Sequence, residues 1–88
     1  MSFKIVFKPS AIKDLQKQPI NIQKRIGKKL KFFIDQNDPL VYAIPLVGND
    51  KAGQYRFRVG DYRIVFDLKE SVIIILMIEH RREVYRKK

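Results

Sequence analysis

The sequence predicts an α+β fold in a single domain, residues 1–88: an N-terminal strand, a two-helix hairpin, then an antiparallel sheet, in the order β-α-α-β-β-β. Three observations carry that expectation. Apolar residues recur every three or four positions between residues 11 and 34, the spacing that gives a helix one buried stripe. From Gln54 to Ile64 apolar and polar residues alternate with the period of a half-buried strand. Gly60-Asp61 splits that alternating run, and glycine at the first turn position is the signal for a type II′ hairpin.

The first strand covers residues 3–7, with Phe3, Ile5 and Phe7 on one face. Pro9-Ser10 ends it, and Ser10 is the expected N-cap of a short helix with Asp14 in its first turn and Ala11, Ile12 and Leu15 on its inner side. Gln18-Pro19 breaks this helix, because proline disfavours helical geometry in the residue before it. A longer helix follows from about residue 19 or 20 to residue 36, striped by Ile22, Ile26, Leu30, Phe33 and Ile34. Its Lys24, Arg25, Lys28, Lys29 and Lys31 read as a solvated face. After Asn37-Asp38-Pro39, the segment to Gly53 reads as a connection whose Leu40, Val41, Ile44, Leu46 and Val47 tuck under the domain. The hairpin strands are residues 54–59 and 62–68. A turn at Lys69-Glu70, flanked by Leu68 and Ser71, leads into a last strand over residues 72–78, and a basic tail closes the chain.

The chain has no cysteine, one histidine and no carboxylate cluster, so disulfides and metal sites are not expected, and no cofactor is implied. A reducing cytoplasm suits such a chain. No stretch has signal-peptide character, and the longest apolar run, residues 72–78, is far too short to cross a bilayer. The net charge is +10, shared evenly between the halves of the chain. That excess is more than solubility needs and points to a polyanionic partner.

A two-residue turn at Gly60-Asp61 sets Val59 against Tyr62, Arg58 against Arg63 and Phe57 against Ile64. Tyr55, Phe57, Val59, Tyr62, Ile64 and Phe66 then share the core face, and Arg56, Arg58 and Arg63 share the other. Like charges directly opposed across an antiparallel pair are destabilising. The nearest acid on that face of the hairpin is Asp67, so the trio is suited to an external anion, and the guanidinium fork grips phosphate with two hydrogen bonds. Continued through Lys69-Glu70, the same register puts Val72, Ile74, Leu76, Ile78 and His80 on the arginine face. His80 would then sit at the rim of the cluster beside Arg81, and the apolar row leading to it suits a face that another protein covers.

Metal-independent cleavage of RNA uses the substrate's own 2′-hydroxyl. The protein assists removal of that proton, stabilises the charged phosphorane and protonates the leaving 5′ oxygen. Arg56, Arg58 and Arg63 match the charge stabilisation; His80, Arg81 and Tyr85 match proton transfer and leaving-group contacts. The arrangement strand–helix–helix–strands, with YRFRVGDYRIVF followed by EHRREVY, resembles the RelE/ParE toxin superfamily, and most of all its RelE branch. That resemblance implies a fold related to microbial ribonucleases and a toxin that cleaves messenger RNA in the ribosomal A site. It also implies a small acidic antitoxin that wraps the toxin, and operator DNA bound only through the complex with that antitoxin. Arg56, Arg58 and Arg63 fall on the family's basic sheet positions, and Arg81 and Tyr85 on its C-terminal catalytic arginine and tyrosine. His80 matches the histidine that precedes the arginine in some members. The best-described RelE toxin has lysines where Arg56 and Arg58 stand, and arginine is a poor base, which leaves the base role to His80 or Tyr85. Two other readings remain at this stage: a ParE-like inhibitor of DNA gyrase, and a non-catalytic module that binds RNA or an acidic protein.

Overall fold

The computed structural model describes residues 2–46 and 53–80. Five strands form one sheet in the order β1-β5-β4-β3-β2, from β1 (Lys4–Phe7), β2 (Ala43–Pro45), β3 (Tyr55–Val59), β4 (Tyr62–Lys69) and β5 (Val72–His80). Helices α1 (Pro9–Gln16) and α2 (Ile20–Ile34) pack on one face. The predicted α+β architecture is therefore present, with two additions. Strand β1 joins the sheet edge parallel to β5. Part of the expected connecting segment folds as a 3₁₀ turn, Pro39–Tyr42, and then as β2, which pairs antiparallel with β3.

The core lies between the helices and the sheet. Ala11, Ile26, Leu30 and Phe33 from the helices meet Phe57, Val59, Ile64, Phe66, Ile73, Ile75 and Ile78 from the strands. Phe33, Phe57 and Phe66 stack in series with centroids 4.4 Å apart at each step, so α2 is held to the middle of the sheet by a continuous aromatic column. The predicted core face of the hairpin is the observed one: Phe57, Val59, Ile64 and Phe66 are buried, and Tyr55 and Tyr62 pack against them.

Helix α1 departs from expectation at its start. Its N-cap is Lys8, with Pro9 at the first helical positions and no side-chain cap. The Ser10 hydroxyl instead donates to the Leu76 carbonyl at 2.8 Å. Asp14 lies beyond the first turn, and its carboxylate accepts the Ile78 N–H at 3.0 Å. The reason is topological. β1 covers β5 only as far as Ile75, and the remaining edge of β5 has backbone groups that must find partners, which α1 supplies. Helix α2 stops at Ile34, two residues short of the predicted end, with Asp35 as its C-cap.

Both hairpin turns are two-residue turns. Gly60 has φ of 59°, while Asp61 stays out of the left-handed region, as a type II′ turn requires. The second turn is Glu70-Ser71, one residue later than predicted, because Lys69 pairs with Val72. Glu70 takes φ of 56° there, the position a glycine would occupy with least strain.

Beyond that turn the strand is irregular. Phe66 pairs with Ile75, but Val65 pairs with Met77, so Leu76 is an extra residue in β5. This bulge exchanges the two faces for everything after it. Ile73, Ile75 and then Ile78 face the helices. Ile78 and His80, predicted on the arginine face, are therefore on the opposite one. Nothing in the run VIIILMI marks the extra residue, since every position is apolar and no period survives to be read.

Candidate nucleic-acid interface

The sheet face away from the helices carries the arginines. Arg58 and Arg63 are directly opposed across the β3–β4 pair, and Arg56 stands in the next row on that face, opposite Val65. Arg58 is exposed, and Arg56 and Arg63 are half-buried. The Arg63 Nε is buried, with no hydrogen-bond partner among the described residues. The register thus brings together the three residues that alternation placed there.

The bulge adds a residue that alternation did not find. Arg63 has Glu79 as its neighbour on β5, so one row across the sheet reads Arg58, Arg63, Glu79. Sequence reasoning missed Glu79 because an unbroken register would have sent it to the core side. Asp67, also on this face, accepts the Gln54 N–H at 2.9 Å and so fixes the entry to β3.

His80 is positioned differently from its prediction. It pairs with Tyr62 on the helix side, and the two rings meet edge to face at 4.9 Å. The Tyr62 hydroxyl donates to Gln18 Oε1 at 2.9 Å in the turn between the helices. His80 therefore joins a cluster that ties the end of β5 to the helix hairpin, on the opposite side of the sheet from the arginine trio. Arg81 and Tyr85 lie outside the described residues.

Gly53, just before β3, packs on this outer face. A Cβ at Gly53 would lie 2.8 Å from Val65 Cγ1, 3.0 Å from Leu76 Cδ1 and 3.2 Å from the Phe66 carbonyl, so glycine permits this close approach. Val65 is 2% exposed as a result. Towards the β4–β5 turn the sheet carries a shallow groove of about 290 Å³ lined by Val6, Lys69, Glu70, Val72 and Ile74. Among the described residues there is no cluster of three side chains able to hold a metal ion, and no helix is long and apolar enough to cross a membrane.

A family model described as the ParE toxin of type II toxin–antitoxin systems matches residues 5–85. The chain belongs to the RelE/ParE toxin superfamily. Within it, this toxin is 34% identical to toxin RelE3 of Methanocaldococcus jannaschii over 85 residues, covering 93% of this chain and 94% of that one. It is 29% identical to toxin RelG of Mycobacterium tuberculosis, over 99% of this chain and 100% of that protein. The toxin–antitoxin complex RelBE2 from Mycobacterium tuberculosis contains a chain of the same fold, with a TM-score of 0.71, 26% identity, and coverage of 92% and 100%. The fold and the type II toxin assignment expected from YRFRVGDYRIVF and EHRREVY are thus established.

Proposed function

We propose that this toxin is a ribosome-dependent, metal-independent endoribonuclease that cleaves messenger RNA in the A site and so arrests translation. The observation that carries the reading is the direct opposition of Arg58 and Arg63 on a strand pair, with Arg56 one row away. Such a pair has no structural advantage within a sheet, but it offers two guanidinium forks to one phosphate. In this reading Arg56, Arg58 and Arg63 hold the scissile phosphate and stabilise the charge that grows on it in the transition state. Arg81 contacts the leaving group, and Tyr85 delivers the proton that the 5′ oxygen takes. His80, packed on Tyr62 across the sheet, positions the end of β5.

The relatives with known structures include one solved together with its antitoxin. By analogy the partner of this cytoplasmic toxin is a small acidic antitoxin, drawn by the +10 charge and covering the arginine face, with operator DNA bound through that complex. Primer extension on programmed ribosomes tests the activity. Wild-type toxin is expected to give discrete A-site cuts, with Arg63→Ala slower by about 10²-fold or more, the usual cost of losing one oxyanion donor, and Tyr85→Phe strongly impaired. The family model that matches is described for ParE toxins, which favours a second reading as a gyrase inhibitor. Intact transcripts together with inhibition of DNA supercoiling by purified gyrase would establish that reading instead.

A further inference from the structure

The endoribonuclease reading leaves one role unfilled, because guanidinium groups do not accept protons and His80 faces the helices. We propose that Glu79 is the general base, a catalytic residue brought to the arginine face by the bulge at Leu76; this inference rests on the endoribonuclease reading above. Three features of the fold support it.

The first is position. Arg63 is flanked across the sheet by Arg58 and by Glu79, and neighbouring strands lie about 4.8 Å apart. A phosphate gripped by both arginines sits midway between β3 and β4, about one and a half strand spacings, roughly 7 Å, from β5 at Glu79. In the proposed complex the 2′-oxygen that attacks that phosphate occupies the gap between the two. The second is chemistry: a carboxylate accepts a proton, and among the described residues its row neighbours, Arg63 and Arg58, carry only positive charge. The third is elimination. Asp67 on the same face is committed to the Gln54 N–H, and it lies four residues along β4 from Arg63. Glu79 is half-buried on a strand that α1 holds by the Asp14–Ile78 and Ser10–Leu76 hydrogen bonds, so it is anchored rather than carried on a loop.

In the step that follows, the Glu79 carboxylate takes the 2′-hydroxyl proton as the 2′-oxygen bonds to phosphorus. The bond from phosphorus to the 5′ oxygen breaks, and that oxygen takes its proton from Tyr85. The products are a 2′,3′-cyclic phosphate and a 5′-hydroxyl end. Glu79 then passes its proton to water, and Tyr85 regains one.

A bland role for Glu79, that of a counter-ion for Arg63, predicts the opposite behaviour on mutation. Removing a competing anion would tighten RNA binding and leave cleavage intact or faster. Single-turnover cleavage on programmed ribosomes separates the two, with melting temperature and ribosome affinity measured on each variant. Glu79→Gln is expected to cut about 10²- to 10⁴-fold more slowly, the range a positioned base contributes, with ribosome affinity changed by no more than about twofold. Glu79→Asp is expected to keep part of the rate. Added formate is expected to accelerate Glu79→Gly, since a free carboxylate can enter the space left, and such rescue is not produced by a structural role. Wild-type rates in Glu79→Gln, tighter binding with undiminished cleavage, or a folded Glu79→Gly that formate does not accelerate would each overturn the assignment. If wild-type toxin itself leaves transcripts intact, the endoribonuclease reading falls as well. If the Arg63 variant is impaired and Glu79→Gln is not, only the base assignment falls.

Discussion

Asp14 shows how one side chain can decide the face of a strand. Its carboxylate accepts the N–H of Ile78, two residues past the bulge, where β1 no longer supplies a backbone partner. Replacing it by alanine leaves a part-buried N–H without an acceptor, which costs about 1–3 kcal/mol. Asp14→Ala is therefore expected to lower the urea midpoint markedly, and Asp14→Asn, which keeps a carbonyl acceptor, much less. Equal losses in the two variants would show that charge rather than the hydrogen bond matters. His80 belongs at the same scale. Its edge-to-face contact with Tyr62 contributes about 0.5–1.5 kcal/mol beyond simple burial. His80→Ala is expected to destabilise the protein by about that amount while leaving the arginine face intact. In sequence, a lone histidine beside two arginines reads as part of their site. The bulge, invisible in an all-apolar run, puts it against Tyr62 on the helix side instead.

At the scale of elements, the turns and α2 differ in how well local residue choice agrees with local geometry. Gly60 is favoured by its φ of 59°, and the Arg25 guanidinium lies over the turn from α2, 3.2 Å from where a Cβ would be. Glu70 occupies the left-handed region where a non-glycine residue costs about 1–2 kcal/mol. The two sites should respond with opposite sign. Gly60→Ala is expected to lower the melting temperature, and Glu70→Gly to raise it; a fall in both would mean that the Glu70 side chain contributes more than its backbone strain costs. Gly27 makes a third case. It is exposed in the interior of α2, and a Cβ there meets nothing within 4 Å. Gly27→Ala is therefore expected to stabilise the fold by about 0.5–1 kcal/mol, the helix-propensity difference, read as a rise of several degrees in a thermal melt. Position 60 is legible in sequence as a turn glycine, because Gly-Asp interrupts an alternating pattern. Position 70 is not, because Glu gives no turn signal and the Lys69-Glu70 turn expected there lands one residue early.

For the whole molecule, legibility followed amphipathicity. The arginine face could be read because β3 and β4 alternate cleanly up to Ile64, and the helix pair because α2 has an unbroken apolar stripe. Strand β2 could not, since Ala43-Ile44-Pro45 is too short for a period and pairs at a sheet edge. Glu79 could not either, since its face depends on a bulge in β5 and on the two α1 side chains that hold the strand beyond it. The same architecture separates the positive charge into two layers. Arg56, Arg58 and Arg63 are on the outer sheet face, and Lys24, Lys28 and Lys31 are exposed on α2 across the core. If RNA is gripped on the sheet face alone, the two sets must differ in their effect on salt dependence. For single-stranded RNA, the slope of log affinity against log salt is about 0.7 per phosphate neutralised. Replacing the three arginines by glutamine is expected to flatten that slope by about 0.7, because the three grip a single phosphate. Replacing Lys24, Lys28 and Lys31 by glutamine should leave the slope for a short single-stranded RNA nearly unchanged, although the net charge falls equally in the two triple variants. Equal flattening would show that affinity follows total charge, not the arrangement of arginines on the sheet.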